Sequence, residues 1–259
     1  MNSMPLQGRR VLVTRSAGQN GKLSDGLRAL GAIPVEVPVL EIIPPESYAP
    51  LDEALRSLDR FDWLILTSTN TLREVCARCT RFALNPADAK GLKVAAVGRA
   101  TAEAARHFGF QVAIVPEVQV AEGLVAALDE MVRGKRVLLP RAAVARDVIP
   151  DELRAVGAEV VVVEAYRNVL PEAAPEQLRR AAAGRIDAAT FTSSSSVTHL
   201  AEAAQLTGIP FPFAGVPAIS IGPITSRTLR DLGWGPAAEA RQHDLPGLIA
   251  AVVHMLSGS

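Results

Sequence analysis

Six turns of this chain place hydroxyls, glycines and arginines where β-branched runs give way to helical ones. They read Thr14-Arg15-Ser16-Ala17-Gly18, Thr67-Ser68-Thr69-Asn70, Gly98-Arg99-Ala100-Thr101, Pro140-Arg141-Ala142, Thr192-Ser193-Ser194-Ser195-Ser196 and Gly222-Pro223-Ile224-Thr225-Ser226. All but the fourth carry Ser or Thr where a helix should begin, and a hydroxyl there can cap backbone N–H groups that the helix leaves free. Ordinary capping accounts for any one of them alone. Gathered on one surface, such helix N-termini would offer N–H donors, hydroxyls and partial positive charge, which suits anions without many lysines. Arg15 and Arg141 stand at strand exits, where a guanidinium can clamp a carboxylate or phosphate with two parallel hydrogen bonds. A plain surface arginine is the alternative at both positions. Of the two tyrosines, Tyr48 opens a helix and reads as structural, whereas Tyr166 lies in the strand-like run Val163-Glu164-Ala165-Tyr166-Arg167-Asn168. A phenol keeps its proton at neutral pH and can donate it to a departing oxygen.

Other chemistries lack their residues. No Walker loop, no Gly-x-Gly-x-x-Gly after a strand and no nucleophile elbow occur, and Gly18-Gln19-Asn20-Gly21 is a poor substitute for a phosphate loop. His107, His199, His243 and His254 fall in or beside helical patterns, without metal-ligand spacing. Cys76 and Cys79 form a Cys-x-x-Cys inside a helical pattern. A redox pair wants its first thiol at a helix start, where the dipole lowers its pKa, so two ordinary helix thiols are the simpler reading. The expectation is a site that uses neither cofactor nor metal.

Lysine plus arginine equals aspartate plus glutamate at 27 each, with no long basic run, which argues against nucleic acid or an anionic membrane as the main partner. A hydrophobic content of 49% with 21% charged residues is that of a packed globular protein. Met1–Gln7 is short and polar, and no apolar run approaches the roughly 18–20 residues of a membrane span, so the chain reads as cytoplasmic.

The elements that must position these turns come in pairs. Gly8-Arg9-Arg10-Val11-Leu12-Val13-Thr14-Arg15 recurs as Gly134-Lys135-Arg136-Val137-Leu138-Leu139-Pro140-Arg141. Phe61-Asp62-Trp63 to Thr67-Ser68 recurs from Ile186-Asp187-Ala188 to Thr192-Ser193, and Val97-Gly98-Arg99-Ala100-Thr101 as Ile221-Gly222-Pro223-Ile224-Thr225. The offset drifts from 126 to 125 to 124 residues, as one duplicated half-chain would drift. Two similar lobes would follow, with a cleft where they face. Short apolar strands alternate with helical stretches, the signature of parallel sheets covered on both faces. Gly31, Gly109, Gly157 and Gly233 each follow a helix, where a left-handed cap residue is wanted. Two predicted strands, Ile33–Ile43 and Ala158–Val169, are about twice the usual length and occupy equivalent places in the repeats. If both cross between lobes, one lobe is discontinuous; otherwise the halves are sequential, near 1–131 and 132–259.

At this point the chain resembles the uroporphyrinogen-III synthase family. The most specific stretch runs Ala218-Ile219-Ser220-Ile221-Gly222-Pro223-Ile224-Thr225-Ser226-Arg227-Thr228-Leu229-Arg230-Asp231-Leu232-Gly233. Phe191-Thr192-Ser193, Leu66-Thr67-Ser68-Thr69-Asn70 and Glu164-Ala165-Tyr166-Arg167 are similar to family segments in the same order. The resemblance implies two α/β lobes of parallel sheet flanked by helices, joined by a two-stranded linker: residues 1–38 with 168–259, residues 43–164, and a linker of 39–42 and 165–167. It implies cofactor-free cyclisation of hydroxymethylbilane, a linear tetrapyrrole with eight carboxylates, with a transient contact to the preceding deaminase as a conceivable partner. It places substrate-binding groups on Arg15, Ser68, Thr101, Arg141, Ser193, Ser194 and Thr225, and assistance to hydroxide departure on Tyr166. Some members carry two threonines after Gly-Pro where this chain has Ile224-Thr225, so only the second position supplies a hydroxyl.

Two rivals use the same residues. A non-catalytic two-lobed anion sensor would bind without turning over. A phosphosugar isomerase-type enzyme would use the Thr192–Ser196 run with an acid or base beside it, for which His199 is the nearby candidate, about one turn into the helix.

Overall fold

The structure is a computed structural model that describes residues 4–16 and 20–257. Ala17, Gly18 and Gln19, which belong to the first of the six turns and to the glycine pair before the first helix, lie outside the described residues. The chain divides into two compact units, residues 1–42 with 169–259 and residues 43–168. Each is a mostly parallel sheet with helices on its faces.

The first unit holds β1 (Arg10–Val13), α1 (Asn20–Ala29) and β2 (Ile33–Glu36), then, after the excursion into the second unit, α7 (Ala174–Ala182), β9 (Ala188–Phe191), α8 (Ser194–Thr207), β10 (Ala218–Ser220), α9 (Pro223–Asp231), β11 (Pro236–Glu239) and α10 (Leu245–Ser257). The second holds α2 (Ala49–Arg56), β4 (Trp63–Leu66), α3 (Thr69–Arg81), β5 (Lys93–Ala96), α4 (Arg99–His107), β6 (Val112–Ile114), α5 (Ala121–Leu128), β7 (Arg136–Ala142) and α6 (Val148–Ala155). β3 (Glu41–Ile43) and β8 (Glu159–Val169) complete its sheet at one edge. The strand orders are β11-β10-β9-β1-β2 and β3-β8-β7-β4-β5-β6. With the repeat applied, β11-β10-β9-β1-β2 corresponds strand for strand to β6-β5-β4-β7-β8, which is what an internal duplication produces.

The inner strands are buried on both faces because near-continuous apolar sequence leaves no face for water, whereas β2, β3, β6 and β11 are partly exposed. β4 and β9 are fully buried, and so are the paired positions Val11, Leu12 and Val13 of β1. Two clusters, one around Phe191 and Trp234 and one around Leu23, Leu27 and Val252, cover the two faces of the first sheet. A third, with Ile65, Leu124, Leu139 and Leu153, covers one face of the second. Gly31 and Gly157, the repeat pair after α1 and α6, adopt φ of 89° and 92°, where an L side chain is strained.

One element differs from expectation. The long strand expected over Ile33–Ile43 is two short ones, β2 and β3, with Val37–Leu40 between them outside the ladders. Pro38 lies in that gap and has no N–H to give to a ladder. Its counterpart, expected over Ala158–Val169, is the single 11-residue strand β8.

Candidate functional site

At the carboxyl end of the second sheet, β7 lies between β4 and β8. The β4–β7 ladder closes with Leu64 opposite Leu138, whereas β7 stays paired with β8 out to Ala142. Pro140, without an N–H, sits where the ladder to β4 has ended. The β7–β8 register then slips: Arg141 faces Glu164 but Ala142 faces Tyr166, so Ala165 is the extra residue of a bulge. Bulges re-aim side chains, and here two consecutive residues, Ala165 and Tyr166, are both buried. With only the methyl of Ala142 opposite it, the Tyr166 ring reaches past β7, and its hydroxyl comes to 3.4 Å from Ser68 Oγ just beyond β4. That is longer than the ~2.7–2.8 Å of a fully formed hydroxyl pair.

Ser68 is the N-cap of α3. Its extended backbone (φ −157°, ψ 161°) lets Oγ accept the Thr71 N–H at 3.1 Å, and Thr71 Oγ1 lies 3.0 Å from the same oxygen. The repeat-equivalent Ser193 caps α8 in the same way, accepting the Ser196 N–H at 3.2 Å, while Ser196 Oγ receives the Ser193 N–H at 3.3 Å. Ser194 Oγ accepts a 2.8 Å hydrogen bond from the Thr228 hydroxyl on the neighbouring α9.

Thr101 and Thr225 are not caps, although helix-start hydroxyls were expected to cap. Gly98 and Gly222 occupy the N-cap positions of α4 and α9, and both threonines fall at the third helical residue, buried in the first turn. Glycine is accepted at a helix start, and at Gly222 there is a packing reason as well. A Cβ there would come within 3.3 Å of the His243 ring. At α4 the side chain of Gln119 stands in for the missing cap and accepts the Arg99 N–H at 3.0 Å.

The two arginines are not idle clamps. Arg141, with its side chain 15% exposed, donates to Asp147 Oδ1 at 2.6 Å and to the Arg146 carbonyl at 3.1 Å. Arg15 follows β1, and burial lowers its pKa below the ordinary guanidinium value. His199 donates its Nδ1–H to the Val39 carbonyl, 2.9 Å away, which fixes the ring to backbone. The cysteines sit in α3, where burial pushes Cys79 up to about 11 and Cys76, with Cys79 beside it, up to about 12. Among the described residues no group of three or more His, Cys, Asp or Glu could hold a metal ion, and no helix is long and apolar enough to cross a membrane.

Sequence reading missed Thr71, Ala142, the bulge at Ala165 and Gln119. Only Thr71 left a signal, as the hydroxyl three residues after the Ser68 cap. A buried polar set in the first unit was missed too: the Thr14 hydroxyl donates to the Thr190 carbonyl and the Thr190 hydroxyl to the Leu12 carbonyl, each at 2.8 Å across β1 and β9, and Ser220 Oγ lies 2.6 Å from Ser226 Oγ.

The uroporphyrinogen-III synthase HemD family model matches residues 7–250. The chain belongs to that family. A uroporphyrinogen-III synthase of Synechococcus elongatus is 36% identical over 260 residues, covering 97% of each chain. The same fold occurs in the Thermus thermophilus uroporphyrinogen III synthase, with a TM-score of 0.71, 19% identity and coverage of 97% of this chain and 100% of that one. It occurs also in the Helicobacter pylori uroporphyrinogen-III synthetase, with a TM-score of 0.60, 19% identity and coverage of 96% and 100%. The hydroxyl pair Ser68 and Tyr166 stands at the carboxyl ends of the strands, where open α/β sheets bind ligands.

Proposed function

We propose that the chain is a cofactor-independent hydro-lyase of the cytoplasm that cyclises hydroxymethylbilane to uroporphyrinogen III. The observation that carries this reading is the Tyr166 hydroxyl held beside Ser68 at the strand ends of a family member. In the reaction the phenol hydrogen-bonds to the terminal hydroxyl of the substrate as its C–O bond breaks. The hydroxyl leaves as water, the net proton coming from the N–H of the same pyrrole, which becomes an electrophilic azafulvene. The substituted carbon of ring D attacks it to give a spiro intermediate, which fragments and recloses with ring D inverted. Water is the only other product, so no oxidant, reductant or metal enters the balance.

Substrate carboxylates are bound in each unit by strand-end groups: Ser68, Thr101 and Arg141 in the second, Arg15, Ser193, Ser194 and Thr225 in the first. Arg141 would take a substrate carboxylate in exchange for Asp147, whose side chain is 61% exposed and free to swing away. Holding a flexible substrate so that one ring carbon meets the electrophile is catalysis by orientation.

A coupled assay with porphobilinogen and its deaminase, followed by separation of type I and type III porphyrins, tests the reading. Type III product is expected, and type I alone would leave a binding protein. Tyr166→Phe should lower kcat roughly 10–100-fold, at or below the foot of the roughly 100–10,000-fold that a general acid supplies, because the hydroxyl can also leave unaided, and should still release type III. Full activity would reduce Tyr166 to packing, and mainly type I product would mean that the phenol orients ring D.

A further inference from the structure

We infer that Thr71 is a positioning residue that makes Tyr166 a hydrogen-bond donor toward the substrate; this rests on the proposed role of Tyr166. Thr71 is fully buried in the first turn of α3, and its hydroxyl has one partner among the described residues, Ser68 Oγ at 3.0 Å. A hydroxyl carries one proton and two acceptor sites. Suppose the Ser68 proton pointed at Thr71. The Thr71 proton would then be buried with nothing to accept it, and such groups are avoided. The satisfied arrangement has Thr71 donating to Ser68. Ser68 Oγ then accepts twice, from the Thr71 N–H at 3.1 Å and from the Thr71 hydroxyl at 3.0 Å. Its acceptor sites are filled, so it can only donate, and among the described residues the oxygen left to receive its proton is that of Tyr166 at 3.4 Å. The phenol therefore accepts from Ser68, and its own proton is directed elsewhere, to the substrate oxygen.

Capping alone does not demand this geometry. At the equivalent place in the first unit the Ser196 hydroxyl donates to the Ser193 carbonyl at 2.7 Å and leaves Ser193 Oγ with a single donor. The relay with two donors onto one oxygen is particular to α3, and it lies beside the only tyrosine of β8.

The test is a cycle of variants in the coupled assay, with kcat and KM measured separately. Thr71→Val keeps the shape and the N–H that Ser68 caps but removes the donor. It should lower kcat about fivefold, the effect of one hydrogen bond on a barrier, with KM within about twofold. Thr71→Ser should restore most of the loss. In the Tyr166→Phe background Thr71→Val should change kcat less than about twofold, since no phenol proton remains to direct. Equal losses in both backgrounds, or a loss that Thr71→Ser does not rescue, would assign Thr71 to helix packing and overturn the inference while leaving Tyr166 its role. Full activity of Tyr166→Phe by itself would overturn the reading of Tyr166, and the inference with it.

Discussion

Asp187 should be worth two to three times as much to stability as its repeat partner Asp62, although both make the same hydrogen-bonded ring. Asp187 N–H donates to the Arg10 carbonyl at 2.8 Å and its Oδ2 accepts the Arg10 N–H at 2.8 Å, pinning β9 to β1. Asp62 does the same with Arg136, at 2.9 Å each way, pinning β4 to β7. The surroundings differ: the Asp187 side chain is 6% exposed and that of Asp62 40%. A charge-assisted hydrogen bond to a buried carboxylate is worth about 1.5–3 kcal/mol. Arg185 Nη2 at 2.7 Å is largely in water and Arg9 Nη1, about one-third exposed, is as far as 3.6 Å, so together they add less than about 1 kcal/mol. Asp187→Ala should therefore cost about 2–3 kcal/mol and Asp62→Ala about 1 kcal/mol. In urea unfolding followed by far-UV circular dichroism, the first corresponds to a midpoint shift of about 1 M at the slope usual for a chain of this size. The pH dependence gives a second check. Burial alone would raise the Asp187 pKa, but the Arg10 N–H and the Arg185 and Arg9 guanidinia outweigh it and hold the carboxyl below its usual range. A depressed folded pKa stabilises above the unfolded value, about 3.9, and that stabilisation is lost as pH falls through the folded value. The gap between wild type and Asp187→Ala should thus be constant from pH 7 to about 5 and shrink as the pH falls below about 4. Equal costs for the two aspartates, or a gap that does not shrink in acid, would refute the assignment of this stability to the buried charged ring.

Ser68→Ala, Ser193→Ala and Thr225→Val should each weaken binding of the octacarboxylate product by only about 1 kcal/mol, the net value of one hydrogen bond. Loss of all binding from any single change, measured by calorimetry with the fold intact, would show that affinity is concentrated and not spread. Ser193→Ala should also cost about 1 kcal/mol of stability through the lost cap of α8, which thermal unfolding reads. With their thiols pushed up to about 11 and 12, buried Cys79 and half-buried Cys76 should alkylate with iodoacetamide at pH 8 at least about tenfold more slowly in the folded protein than in urea, and fast labelling of native protein by mass spectrometry would refute the raised thiol pKa.

The α/β class was legible because parallel strands buried on both faces are apolar without interruption, and Val11–Val13, Leu64–Leu66 and Val137–Leu139 read that way directly. The broken strand was not. Val37-Pro38-Val39-Leu40 is as apolar as its neighbours, and Val37 and Val39 are indeed buried, so hydropathy runs straight through a place where the ladder stops. Pro38, which has no N–H to give to a ladder, is the signal that the sequence does carry. The expectation that hydroxyls cap fails at α4 and α9 for a related reason: each turn holds a glycine as well as a hydroxyl, and it is Gly98 and Gly222 that take the N-cap positions. What decides Gly222 is the ring of His243, and what caps α4 is Gln119; both lie some twenty residues further along the chain.

The site was legible as residue types and illegible as connectivity. Ser68, Ser193 and Tyr166 stand out because a hydroxyl after an apolar strand, or a lone phenol in one, is unusual enough to notice. Their partners do not stand out. Arg141 looks like a free clamp until Asp147, six residues on, is found holding it. The approach of Tyr166 to Ser68 depends on a one-residue slip at Ala165 and on an alanine at position 142, and neither an inserted register nor a small neighbour leaves a mark in periodicity. A larger side chain at 142 should therefore separate the two hydroxyls without touching either. Ala142→Leu is expected to reproduce much of the kcat loss of Tyr166→Phe, and an unaffected kcat would mean that the gap between β4 and β7 tolerates what the bulge was thought to require.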